Sequence, residues 1–116
     1  FYDWNLLLDE TGGPNHVGNF CDAPFRYDIR SGVLEQRMLY RHFYHFAHFI
    51  RPGARRFGIS RYTDQLEVTA YRNEDGTLAI VLLNRGTEEL PAILRLNGEV
   101  AKIDVPAGGI STVCIV

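Results

Sequence analysis

From Phe57 onward, the chain alternates apolar and polar residues with a period of two, broken at short intervals by turn signals. Such alternation places apolar side chains on one face of a strand and cannot sit still as a helix. Phe57 and Ile59 alternate with Gly58 and Ser60, and Leu66, Val68 and Ala70 with Glu67, Thr69 and Tyr71. Asn73-Glu74-Asp75-Gly76 reads as a hairpin turn. Leu78 to Leu83 is apolar on both faces, which predicts a central strand. Ala92, Leu94 and Leu96 precede a turn at Asn97-Gly98; Ala101, Ile103 and Val105 precede another at Pro106 to Gly109; Ile110 to Val116 closes the series. Six strands with close turns predict an antiparallel β-sandwich.

The first part of the chain differs. Eleven of the fourteen aromatic residues lie in residues 1–53, and only Phe57, Tyr62 and Tyr71 lie beyond. Trp4 to Leu8 is a short apolar run with little alternation, as expected of a parallel strand covered on both faces. Gly12-Gly13-Pro14-Asn15 stops it. Phe25 to Ile29 suits a brief extended piece before a turn at Ser31-Gly32. A helix is expected from about Glu35 to Phe49, with Leu39, Phe43, Phe46 and Ile50 forming one apolar stripe and Glu35 suiting the positive end of the dipole. Pro52-Gly53 ends it, so the expected division is 1–53 and 54–116.

Size and charge exclude several classes. At 116 residues the chain is the length of one ordinary domain and cannot hold a whole (β/α)₈ barrel, which needs about 250. The net charge is −2, and no basic run interleaves with aromatics, so no nucleic-acid partner is expected. No apolar stretch approaches the ~20 residues of a membrane span, and there is no leader pattern. The opening at Phe1, without an initiator Met, points to a preceding part of a longer protein. The chain is expected to be soluble, and its compartment, bacterial cytoplasm or secreted, is not decided. Cys21 and Cys114 are expected to be two buried thiols, because free cysteine packs as a small hydrophobe.

The candidate chemistry is sparse. A glycosidase needs two carboxyls about 5–9.5 Å apart. Asp3, Asp9, Glu10, Asp22, Asp28 and Glu35 cluster early, but adjacent Asp9 and Glu10 would point apart on an extended chain, and these acids suit turns and caps. No catalytic dyad is assigned within the chain. His42, His45 and His48 step by three but interleave with Phe43, Phe46 and Phe49 and lack a companion acid, so they read as packing residues; no metal site and no cofactor are expected. His16 suits equally a hydrogen bond to a substrate hydroxyl or a brace within its loop. Trp4 stands where polar and aromatic groups gather at a strand end, and sugars lie well on aromatic rings; packing is the plainer alternative.

The strings DWNLLLDETGGPNHVGNFCDAP and HFYHFAHFIRPGARR resemble the C-terminal region of glycoside hydrolase family 30 enzymes of the glucosylceramidase type, closely over residues 2–53 and more weakly to Val116. The resemblance implies a mainly β fold: an antiparallel β-sandwich preceded by one strand-loop-helix unit left over from a (β/α)₈ barrel. Trp4 to Leu8 would be the eighth barrel strand and the Glu35–Phe49 helix the eighth barrel helix. It also implies retaining hydrolysis of β-glycosides by two glutamates on the fourth and seventh strands, before this chain's first residue, so that the segment alone is inactive. Trp4 matches the family's sugar-contacting tryptophan, Asn19 and Phe20 match residues at the pocket mouth, and Phe1 falls where an aromatic lines the entrance. Phe25-Arg26 departs from the aliphatic residues commoner there. The implied partners are a β-glycoside or glycolipid substrate, and the barrel and N-terminal strands of the same protein. Without those strands residues 1–30 would be poorly ordered or paired with another chain, and open sheet edges favour homodimers. The alternative is a stand-alone carbohydrate-binding or interaction module, for which only Tyr62 and Tyr71 offer an aromatic platform.

Overall fold

The computed structural model describes residues 4–116. Among them, nine strands and one helix follow one another, so the fold is mainly β. Contacts divide into two compact units, the first ending at Tyr44 and the second running from His45 to Val116, with the division inside the helix.

In the first unit, β1 (Leu7–Asp9), β2 (Phe25–Asp28) and β3 (Val33–Gln36) form a sheet with β2 in the middle. β1 runs parallel to β2, and β3 antiparallel to it. The turn between β2 and β3 explains the hairpin. Asp28 Oδ1 accepts hydrogen bonds from the amides of Arg30 (2.8 Å) and Ser31 (2.9 Å), and Gly32 N donates to Asp28 O at 2.8 Å. The Ser31 and Arg30 amides hold the Asp28 carboxyl below the usual aspartate range.

This hairpin corrects the expected helix start. Glu35 lies on β3 opposite Arg26, not at a helix N-terminus, and α1 runs Met38–Phe49. Pairing continues to Arg37, whose amide donates to Pro24 O at 2.9 Å, so the ladder keeps residues 33–37 extended. The expected stripe is partly realised: Leu39, Phe43 and Ile50 are half-buried, Phe46 is exposed, and no residue of α1 is fully buried.

The expected strand at Trp4 to Leu8 is also shorter and less covered. It begins at Leu7, because Asn5 takes a φ of 62° and turns the backbone out of extended geometry. Leu8 is buried, whereas Leu6 and Leu7 are exposed. β1 finds its hydrogen-bonding neighbour inside the chain, in β2.

The second unit holds β4 (Arg55–Phe57), β5 (Leu66–Arg72), β6 (Leu78–Asn84), β7 (Leu90–Leu96), β8 (Glu99–Val105) and β9 (Ile110–Ile115). One sheet has the order β4-β5-β6-β9, antiparallel throughout; β7 and β8 pair as a second. Leu66, Ala70, Ile80 and Leu82 of the first sheet meet Ala92 and Val105 of the second in one buried cluster. Phe57, Val68, Leu90, Leu94, Ile103 and Val113 pack around it. β6 is central, and of its residues only Leu83 is not fully buried. Asn97 (φ 50°) and Gly98 (φ 88°) make the two-residue β7–β8 turn, as an Asn-Gly pair with both φ positive should.

The face of β6 away from the cluster is also covered, with Ala79 and Val81 buried. The last turns of α1 reach the same sheet: His45 Nδ1 and Thr112 Oγ1 share a hydrogen bond of 2.9 Å. Asn73, at the β5–β6 hairpin, closes the helix end. Its Nδ2 donates to Phe49 O (3.0 Å) and Thr77 Oγ1 (2.9 Å), and its Oδ1 accepts from Arg51 N (3.0 Å). Arg51 also reaches Asp75 at 2.5 Å. Asn73→Ala strands a helix-end carbonyl and an amide, so a loss of about 2 kcal/mol is expected in urea unfolding; a loss below about 0.5 kcal/mol would mean that water replaces the clamp.

The cysteines depart from expectation, since both are exposed. Cys21 sits in the loop after β1, and Cys114 lies on the edge strand β9 opposite Ala79, on the face away from the buried cluster.

Candidate functional site

The loop 10–24 leaves the C-terminal end of β1 and returns to β2. Its base is closed by backbone bonds: Asp9 N to Gly13 O (2.7 Å), Gly12 N to Asp9 O (3.1 Å) and Cys21 N to Gly12 O (3.1 Å). The Asp9 side chain completes the turn. Its Oδ1 accepts from Thr11 N (2.9 Å), Thr11 Oγ1 (2.7 Å) and Gly13 N (2.8 Å). The Thr11 hydroxyl first, then the Gly13 amide, hold its carboxyl below the usual range.

Gly12 is required here on two counts. Its φ is 88°, and a Cβ would stand 2.5 Å from Cys21 O. Gly12→Ala is expected to open the loop base at a cost of about 2 kcal/mol or more. Cleavage within residues 13–20 by a nonspecific protease should then quicken several-fold, and an unchanged digestion rate would contradict this account.

A cleft of about 300 Å³ lies beside the loop base, lined by residues of β1, the two ends of the loop, Phe25, Arg26 and Arg37. It is polar and its charges are engaged. Arg26 Nε faces Glu35 at 3.7 Å, and Arg37 meets Glu35 at 3.2 Å and Asp22 at 3.5 Å. Glu10 Oε2 accepts from Ile29 N at 3.2 Å, and Asp22 Oδ1 from Ala23 N at 3.0 Å. The described early carboxylates therefore serve turns and ion pairs; Asp3 lies outside the described residues. Phe25 packs its ring on Tyr40, with centroids 4.9 Å apart, so the unusual Phe25-Arg26 pair has local partners.

Of the residues singled out for sugar contact, Trp4, Asn19 and Phe20 do not line this cleft. Trp4 precedes β1 and is 79% exposed. Asn19 and Phe20 lie on the loop just before the clasp at Cys21; both are exposed, Phe20 at 63%. Phe1 lies outside the described residues. His16 is exposed on the same loop. Sequence reasoning took the loop's glycines as turn geometry and Asp9 as one of several turn-forming acids, but did not single it out as the residue that organises the loop base; the signal was an Asp followed two residues on by Thr, the spacing of an Asx-turn.

Elsewhere, His48 packs edge-on against Phe49 with ring centroids 4.8 Å apart. Among the described residues, no group of three His, Cys, Asp or Glu could hold a metal ion. Tyr62 is 96% exposed between β4 and β5, whereas Tyr71 is half-buried on β5. Among the described residues, no helix is long and apolar enough to cross a membrane.

Two family models match in tandem. Residues 1–50 match the glycosyl hydrolase family 30 TIM-barrel domain, and residues 53–113 match the glycosyl hydrolase family 30 beta sandwich domain. The chain belongs to glycoside hydrolase family 30. It is 41% identical over 91 residues to the lysosomal acid glucosylceramidase of Mus musculus, an alignment covering 77% of this chain and 18% of that protein. The crystal structure of SrfJ from Salmonella typhimurium superposes with a TM-score of 0.94 at 37% identity, over 97% of this chain and 25% of SrfJ. The endo-beta1,6-glucanase BT3312 superposes at 0.83 with 27% identity, over 94% of this chain and 25% of that one. The chain thus spans a quarter or less of these relatives' lengths. Within family 30, it comprises a short TIM-barrel remnant followed by the β-sandwich domain.

Proposed function

We propose that this chain is the C-terminal portion of a retaining β-glycosidase acting on a β-glycoside or glycolipid. The observation that carries the reading is the tandem family 30 match, barrel part and then sandwich, together with 41% identity to a glucosylceramidase. Residues 1–53 supply the last strand, loop and helix of the catalytic barrel, and residues 54–116 supply the sandwich. Barrel enzymes carry their chemistry at the C-terminal ends of strands, the end of β1 from which loop 10–24 departs.

The two catalytic glutamates belong to the part of the enzyme before residue 1. One protonates the glycosidic oxygen as the other attacks the anomeric carbon; water then displaces the glycosyl-enzyme ester, giving up its proton to the first. This chain binds and positions: Trp4 offers a ring to the sugar face, Asn19 a polar contact, and Phe20 and Phe1 apolar walls at the entrance. The edges of β4 and β9 carry no neighbouring strand among the described residues. Other strands of the whole protein cover them in this reading, and a second copy does so in the isolated chain. The alternative of a free-standing sugar-binding module finds less support, since Tyr62 is exposed without a companion Tyr71.

The test is a fluorogenic β-glycoside assay of the 116-residue chain beside a form extended upstream through its reading frame. Turnover is expected only in the extended form, with a loss of about 10³-fold or more on replacing either upstream glutamate. Turnover by the short chain would place the catalytic carboxyls among residues 3–35 and overturn the assignment.

A further inference from the structure

We propose that Asp9 is a positioning residue for substrate binding, acting through a single oxygen and not through its charge; this rests on the glycosidase reading above. The geometry is specific. Asp9 closes β1, and β2 holds that strand in parallel register through Leu7, Leu8 and Asp9 itself. From this fixed point Oδ1 alone gathers the amide of Thr11, its hydroxyl and the amide of Gly13. The turn so fixed presents Gly12 O to the amide of Cys21 at 3.1 Å, which joins the two arms of the loop. Asn19 and Phe20 are the two residues immediately before that clasp. Their placement therefore descends from the sheet through one carboxylate oxygen.

Two consequences separate this role from others. Because the three donors converge on Oδ1, an asparagine offering its carbonyl oxygen to the same donors reproduces the arrangement with weaker, uncharged bonds. An alanine cannot. Because Asp9 serves the loop and not the reacting atoms, its loss should fall on substrate binding and leave the chemical step nearly intact.

The experiment uses the complete enzyme with a fluorogenic β-glycoside, comparing Asp9→Ala, Asp9→Asn and Thr11→Val. Asp9→Ala is expected to raise KM about 10-fold with kcat within about threefold, since loop misplacement weakens binding. Asp9→Asn should stay within about threefold of the unmodified enzyme in both constants, and Thr11→Val, which removes one of the three donors, should fall between. Amide exchange gives a readout independent of turnover: the Gly13 and Cys21 amides should exchange about 10-fold faster in Asp9→Ala and near the parent rate in Asp9→Asn. An unchanged KM in Asp9→Ala, a fall in kcat alone, or an Asp9→Asn as damaged as Asp9→Ala would each overturn the proposal. An unmodified enzyme that turns over no β-glycoside would sink the glycosidase reading, and the exchange rates would still decide whether Oδ1 holds the loop.

Discussion

Leu82→Ala is expected to destabilise the sandwich by about 2–5 kcal/mol, whereas Leu83→Ala beside it should cost about 1 kcal/mol or less. Leu82 is 1% exposed and belongs to the cluster in which Leu66, Ala70 and Ile80 of one sheet meet Ala92 and Val105 of the other. Its strand is central, so β5 and β9 fix the backbone on both sides and limit how far the site can collapse around a missing side chain. The destabilisation then combines lost apolar transfer with a residual cavity. Leu83 points to the opposite face and is only half-buried, so less apolar area returns to water. Urea unfolding of the two variants measures both values. Equal losses would mean that Leu83 is packed as tightly as Leu82, against its half-buried place in the fold.

The central place of β6, though not the lesser burial of Leu83, was legible in the sequence. Leu78 to Leu83 is apolar at odd and even positions alike, which only a central strand tolerates, and the strand lies between two others with both faces covered. The Asn97-Gly98 turn and the Asn73–Gly76 hairpin were equally plain, because positive φ and Asx chemistry restrict which residues can serve there. In the first unit the signals competed. Val33 to Gln36 joins smoothly onto a helical stripe, and Glu35 suits a helix start; the Asp28 turn and the pairing of Arg26 with Glu35 claimed those residues for a strand. Trp4 to Leu8 reads as a covered strand by hydrophobicity alone, and the positive φ of Asn5 shortens it. An asparagine in an apolar run permits that conformation but does not announce it.

The family was legible in the sequence, and the mechanics of the loop were not. DWNLLLDETGGPNHVGNF carries the resemblance, and the tandem family 30 match agrees with it. That the early acids suit turns was legible, but which of them shapes the loop was not, because Asp9 and Glu10 stand side by side with the same chemistry. Only coordinates show three donors converging on one of its oxygens while Glu10 serves a different backbone amide.

Asn84 gives the sharpest case of a residue that the pattern hides, and the second large expected effect. In sequence it merely follows the apolar run Leu78 to Leu83. In the fold it is 0% exposed, and every polar atom of its amide group has a partner. Nδ2 donates to Glu88 O (2.7 Å) and to Val105 O (3.1 Å), and Oδ1 accepts from Gly86 N (2.9 Å). Val105 ends β8, so the side chain ties the central strand of one sheet to the end of the other. Asn84→Leu keeps the branched outline, with somewhat more bulk, but strands a buried carbonyl and weakens the turn, with an expected loss of about 3 kcal/mol. Asn84→Asp should cost at least as much, because it sets a carboxylate against two carbonyl oxygens and is relieved only by taking up a proton. Its deficit should therefore shrink as the pH falls, while that of Asn84→Leu stays constant. Urea unfolding of the three proteins at two pH values separates these outcomes. If both variants lost less than about 1 kcal/mol, water would be satisfying the carbonyls, and the two sheets would be held by apolar packing alone.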